Sequence, residues 1–182
     1  LFPYTTLFRS LVSWTALGLM GAAAAVAGQN LGAGKPDRAV QAVSSAARIA
    51  ITGAATIGLL YLFLPKHLLA VFGMDDPGVV EIGAQLLRVL SISGIFLAVA
   101  LTYTGGLQGT GDTKSPLFIS IISQVVVPLS ICFVIQRTGT LDPIDIWLAI
   151  LAGHMTRCTL SVVRFNQGHW REIVMDIGAK AG

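Results

Sequence analysis

An all-α integral membrane protein, a partial bundle of about five transmembrane helices, is the fold class that three features of the sequence predict. Hydrophobic residues make up 54% of the chain and charged residues only 12%, against about 25% charged in a water-facing globular domain. The apolar residues fall into uninterrupted runs of membrane-crossing length, and the mean hydropathy is +0.75. Between the runs, Gly-rich basic connections recur at 28–39 (GQNLGAGKPDRA) and 105–116 (GGLQGTGDTKSP). The net charge of +3 calls for no nucleic-acid partner. Basic residues at the cytoplasmic ends of membrane helices account for it.

Residues 1–10, LFPYTTLFRS, are what the end of a sequencing-library adapter encodes when translated. They are therefore set apart from fold reasoning as non-native, and the native segment is expected to enter from within a longer gene at Leu11. The first span is 11–27, uncharged and just long enough to cross. Glycines 28, 32 and 34 then predict a tight connection, since a residue without Cβ tolerates turns and close approaches. Pro36 suits the first turn of the next helix, where its missing N–H goes unused. That helix is amphipathic past Arg48 and supplies the second span, 46–65.

Residues 65–80, with two prolines, two glycines and the Asp75–Asp76 pair, predict a short interfacial helix and a turn. Asp76 is placed to cap the next helix and Pro77 to begin it. The third span is 86–107, and the second Gly-rich connection follows. The fourth span is 117–135, where Pro128 predicts a kink, and the fifth is 146–163. With alternating crossings, Lys35, Arg38, Lys114, Arg164, Arg171 and Lys180 collect on one side, against Lys66, Arg88 and Arg137 on the other. The positive-inside tendency puts both Gly-rich connections and the C-terminus in the cytoplasm.

Several chemistries are excluded or weakened. GAGK lacks the spacing and Ser/Thr of a phosphate loop, and GTGDTK lacks the third glycine of a dinucleotide fingerprint. Cys132 and Cys158 are isolated within spans and suit small apolar packing roles. No histidines have metal-ligand spacing, so no cofactor is expected. Every carboxylate lies in a loop or at a span end. An acid at mid-membrane would mark a proton or cation pathway, so no ion-coupling site is identifiable here, and an enzyme needing clustered intramembrane acids is disfavoured.

Polar groups at membrane depth are Gln124 in the fourth span and His154 and Arg157 in the fifth, the last two sharing one helix face. They are candidates to line a solute pathway, with Tyr103 near the inner end of the third span. The alternatives are hydrogen bonds between helices for Gln124 and His154, snorkelling to the headgroups for Arg157, and simple packing for Tyr103.

GQNLGAGKPDRA after a GAAAA helix, GLQGTGDTKSP one helical pair later and the terminal RFNQGHW together resemble the multidrug and toxic compound extrusion (MATE) family, over 11–170 in order and spacing. The resemblance implies a twelve-helix transporter of two six-helix bundles. Residues 11–165 would belong to the C-terminal bundle and 166–182 would form a cytoplasmic tail. It implies a secondary antiporter, not an enzyme, that exports drugs or other cationic or amphiphilic small molecules by alternating access, in exchange for protons or sodium. The setting would be the lipid bilayer of a bacterial cytoplasmic (inner) membrane. The missing N-terminal bundle of the same chain would be the partner, so the segment alone is expected to export nothing.

The family's Gly-rich connections map onto Gly28, Gly32, Gly34 and Lys35, and onto Gly109, Gly111, Asp112 and Lys114, as flexible connectors at the cytoplasmic gate. The third span holds none of the family's sodium-linked acids, which leans coupling towards protons. A lipid-linked oligosaccharide flippase of the same superfamily is an alternative, although only Arg157 could supply the basic lining expected of one. A non-transporting membrane scaffold is the alternative outside transport.

Overall fold

The computed structural model describes residues 2–71, 73–74 and 76–173; the side chains of 2–9, 11 and 12 are left out of that description. Asp75, Asp176 and Lys180 thus lie outside the described residues. Six helices carry the fold: α1 Phe2–Gly32, α2 Pro36–Phe63, α3 Pro65–Val71, α4 Pro77–Gly109, α5 Lys114–Thr138 and α6 Pro143–Asn166. Among the described residues there is no strand. By length and composition α2, α4, α5 and α6 can each cross a membrane, as expected of an all-α membrane protein. The predicted first span lies inside α1, which runs 31 residues and starts within the adapter-like stretch.

The helix boundaries have local causes. Pro36, Pro77 and Pro143 all stand in the first turn of their helices, where the absent N–H costs nothing. Asp76 caps α4 by accepting from the Val79 N–H at 3.0 Å. At the start of α6 the Asp142 N–H donates to Asp145 Oδ2 at 3.0 Å. The ends of α1 and α4 are the same motif. Gly34 (φ +70°) and Gly111 (φ +94°) take the left-handed conformation just past the helix. The following N–H then reaches back five residues, Lys35 to Asn30 O and Asp112 to Leu107 O, both at 2.9 Å. This is the Schellman closure, which only glycine enters without a Cβ penalty.

Both Gly-rich connections are therefore shorter than predicted. Gly28 and Gly32 lie inside α1, Gly105 and Gly109 inside α4, and the true turns cover only 33–35 and 110–113. The physical reason is close packing of helices. A Cβ on Gly28 would come within 2.7 Å of the Gly109 carbonyl oxygen, and one on Gly105 or Gly109 would run into the Met20 or Ala24 carbonyl. Gly105 and Gly109 are one turn apart, so together they give α1 a flat strip on α4, the small-xxx-small contact of membrane helices.

Helix α4 is the central element and touches α1, α2 and α6. Its contacts form three clusters along the bundle. Tyr61, Leu69, Met74, Ala84 and Leu87 pack at one end, where α3 folds under. Ala16, Ala50, Ala54, Ala98 and Leu101 hold the middle, where alanines let the backbones approach. Ala27, Leu31, Ala39, Val43, Leu107, Phe165 and Trp170 close the other end.

Helices α5 and α6 form a hairpin on the flank. Near the middle of α5, residues Ile122–Val126 form a π turn in which the Val127 N–H reaches Ile122 O. The wide turn immediately precedes Pro128, whose ring would otherwise collide with the preceding turn. The irregularity expected at Pro128 is thus absorbed as a π turn, and Gly153 of α6 packs against it, with no room for a Cβ beside the Ser123 carbonyl.

Candidate functional site

The polar chemistry lies in two places, the loop end of the bundle and one face of α6. At the loop end, Asp112 in the α4–α5 turn is buried, and its Oδ2 accepts from Arg164 Nε at 3.1 Å. Its Oδ1 accepts from the Ser115 N–H at 3.1 Å, so one carboxylate caps α5 and binds the end of α6. Arg164 Nε also donates to Ser115 Oγ at 2.8 Å. Beyond α6, Gly168 (φ +76°) turns the chain back, and the fully buried Trp170 stacks on Phe165 with ring centroids 5.1 Å apart. The Trp170 Nε1 donates to the Phe165 carbonyl at 2.8 Å. Arg171 then meets Asp37 of α2 at 3.2 Å, an exposed pair.

The described part of the expected tail is therefore a clasp that ties both Gly-containing turns to the end of α6. Composition gave no sign of this, because Trp170 is one apolar residue in a polar segment. Asp112 is an ion-paired cap, Gly34 and Gly111 are helix stops, and Gly28 and Gly109 are helix contacts. Gly32 has open space where a Cβ would stand. Lys35 and Lys114 are exposed.

Of the four candidate pathway residues, Tyr103 lies apart from the other three. Tyr103 is half-buried and meets Phe165 edge-on at 5.5 Å, in the cluster that closes the loop end. Gln124 sits in the π turn and is exposed. His154 and Arg157 share a face of α6 and are joined there by Ser161 and Arg164, at steps of three, four and three residues. Sequence reading missed Ser161, although its helical spacing from Arg157 was the available signal. His154 is buried and Arg157 half-buried. From the level of Phe165 and Tyr103 to His154 is eleven residues of α6, about 16 Å along the axis.

A cavity of about 10 Å³ among Thr15, Ala16, Leu19, Ala50, Ala54, Ile57 and Ala98 lies between α1, α2 and α4. It is roughly one water in size and apolar, so it cannot pass a solute. Among the described residues no group of three or more His, Cys, Asp or Glu could hold a metal ion.

Apolar membrane-length helices, small-residue crossings and charge confined mainly to the helix ends define a polytopic helical membrane protein. The MatE family model matches residues 4–134, most of the chain, and the chain belongs to that family. Members of this family are transporters rather than enzymes. The chain is 27% identical over 177 residues to a probable multidrug resistance protein NorM of Thermotoga maritima, covering 93% of this chain and 38% of that one. It is 28% identical over 134 residues to multidrug and toxin extrusion protein 1 of Homo sapiens, covering 74% and 23% respectively. A probable NorM of Deinococcus radiodurans is 28% identical over 151 residues, covering 81% and 33%. The chain thus spans less than two fifths of the length of these curated relatives.

Proposed function

We propose that this segment is most of the C-terminal bundle of a secondary antiporter that exports drugs or other cationic or amphiphilic compounds. Membership of the MatE family carries the reading, with relatives whose names describe multidrug resistance and toxin extrusion. Residues 11–165 supply five spans, α1 included, and 166–182 lie in the cytoplasm. The missing N-terminal bundle is the partner against which this one rocks, about a substrate site near the midplane. Protons or sodium drive the exchange across a bacterial cytoplasmic membrane. The architecture supports rocking as a body, because at the loop end Asp112–Arg164 and Asp37–Arg171 tie the α4–α5 turn and α2 to the end of α6, and Ala27 and Leu31 of α1 pack in the same cluster.

The cavity between α1, α2 and α4 is water-sized and passes no solute. Export therefore requires the other wall. Expressed in a pump-deficient bacterium, the complete gene should raise the inhibitory concentration of amphiphilic cationic dyes and drugs, and the 182-residue segment should not. Resistance from the segment alone would refute the two-bundle reading, and its absence from the complete gene would refute export.

A further inference from the structure

The α6 face offers donors without acceptors. Ser161 is fully buried, and its Oγ has no hydrogen-bond partner. That is unusual within this molecule. Thr156 and Thr159 of the same helix, and Thr102 and Ser123 elsewhere, each donate to the carbonyl four residues back. For Ser161 that carbonyl belongs to Arg157, and the bond is not made. One turn away on the same face, Arg157 Nε is enclosed and equally without a partner.

The missing partner is not a carboxylate of the described chain. Asp112 is held by Arg164 and Ser115, Asp37 by Arg171, and Asp76 by its helix cap. Asp142 and Asp145 stand at the far start of α6, with Asp145 twelve residues or about 18 Å from Arg157 along the axis. Glu81 is in the first turns of α4, and Glu172 lies beyond the end of α6. A guanidinium charge left alone in a span is costly, and it is stabilised there by a counter-charge or by water. The guanidinium offers only donors, in a planar fork that fits carboxylate and phosphate oxygens. Beside it, a serine hydroxyl is also free to donate.

We propose that Arg157 and Ser161 form an oxyanion-binding site, which takes the carboxylate of an amphiphilic solute or the phosphate of a lipid. The site rests on the efflux reading only for what is carried, not for what is bound. It adds anionic and zwitterionic amphiphiles to the compounds the transporter accepts.

The test is binding to the complete gene product, purified in detergent, of dansyl-phenylalanine and of its uncharged methyl ester, followed by dansyl fluorescence. The parent protein should prefer the acid by about tenfold, as expected of a charge-assisted bidentate contact. Arg157→Gln should abolish the preference, Arg157→Lys should retain part of it, and Ser161→Ala should reduce it severalfold. Should Arg157→Gln fail to fold, the lysine and alanine variants still decide the matter.

Displacement of the acid by phosphatidylglycerol but not by diacylglycerol, which has no phosphate, lost on Arg157 substitution, would assign the natural oxyanion to lipid. Lack of displacement would assign it to solute. Equal affinity for acid and ester in the parent, or a preference that none of the three variants alters, overturns the proposal. Failed export with the acid preference intact would instead count against the efflux reading alone.

Discussion

Asp112 and Asp37 both pair with arginines, and the structure separates their worth. Asp112 is 6% exposed, and its two oxygens serve two donors, the Ser115 N–H of α5 and Arg164 Nε of α6. Asp37 is 83% exposed, and its Arg171 partner is 44% exposed. Removing Asp112 strands the Ser115 N–H and an Arg164 that is 32% exposed, which costs about 1–3 kcal/mol. An exposed pair is worth under about 1 kcal/mol. Asp112→Asn should therefore lower the thermal midpoint of the detergent-solubilised protein clearly, and Asp37→Asn should barely move it. If the stranded Arg164 is the cause, adding Arg164→Gln to Asp112→Asn should cost less than the two single losses combined. Equal midpoints for the two aspartate variants would show that burial does not govern the loop end. Sequence spacing placed Asp112 in a connection, but its partner is 52 residues away, a separation that no local pattern encodes.

Among the elements, the glycines divide into roles that composition alone merges. The hydropathy runs located the spans, and Pro36, Pro77 and Asp76 fixed two helix starts, because those signals are local. Whether a glycine ends a helix or lies within one depends on what approaches it, and that is set by the fold. Gly109 has the Ala24 carbonyl of α1 against it, whereas Gly32, also helical, has nothing within 4 Å. Gly109→Ala should force α1 and α4 apart, at a cost of about 1–3 kcal/mol. Gly32→Ala should be neutral or stabilising by up to about 1 kcal/mol, since alanine is the better helix former. Thermal unfolding of both variants is the check, and comparable losses would mean that α1 does not pack on α4 as described. The clasp was illegible for a related reason: one tryptophan in RFNQGHWRE gives no periodicity, and only the turn at Gly168 carries it back onto Phe165.

For the molecule as a whole, the exposed surface carries a second kind of information. Large apolar side chains stand outward along the helices, among them Leu59 and Phe63 on α2 and Leu117, Phe118, Leu129 and Phe133 on α5. Such patches on a protein of this composition face lipid or a partner bundle. Charge is mostly confined to the two ends. Arg164 and Arg171 pair across to Asp112 and Asp37 at one of them, and Arg137 lies over Phe133 at 4.8 Å near the other. The turns at 33–35 and 110–113 therefore share a membrane face, and the turn after Thr138 takes the opposite one.

Sidedness is the step that the positive-inside tendency adds. It is checked by single cysteines at Lys35, Lys114 and Gly139, in a background where Cys132 and Cys158 are alanine. A membrane-impermeant maleimide should label Lys35→Cys and Lys114→Cys in inside-out vesicles and Gly139→Cys in intact spheroplasts. The reverse pattern would invert the orientation while keeping the fold. Labelling of Lys35→Cys and Lys114→Cys from opposite faces would break the fold itself, since α1–α2 and α4–α5 would then no longer turn at a common end.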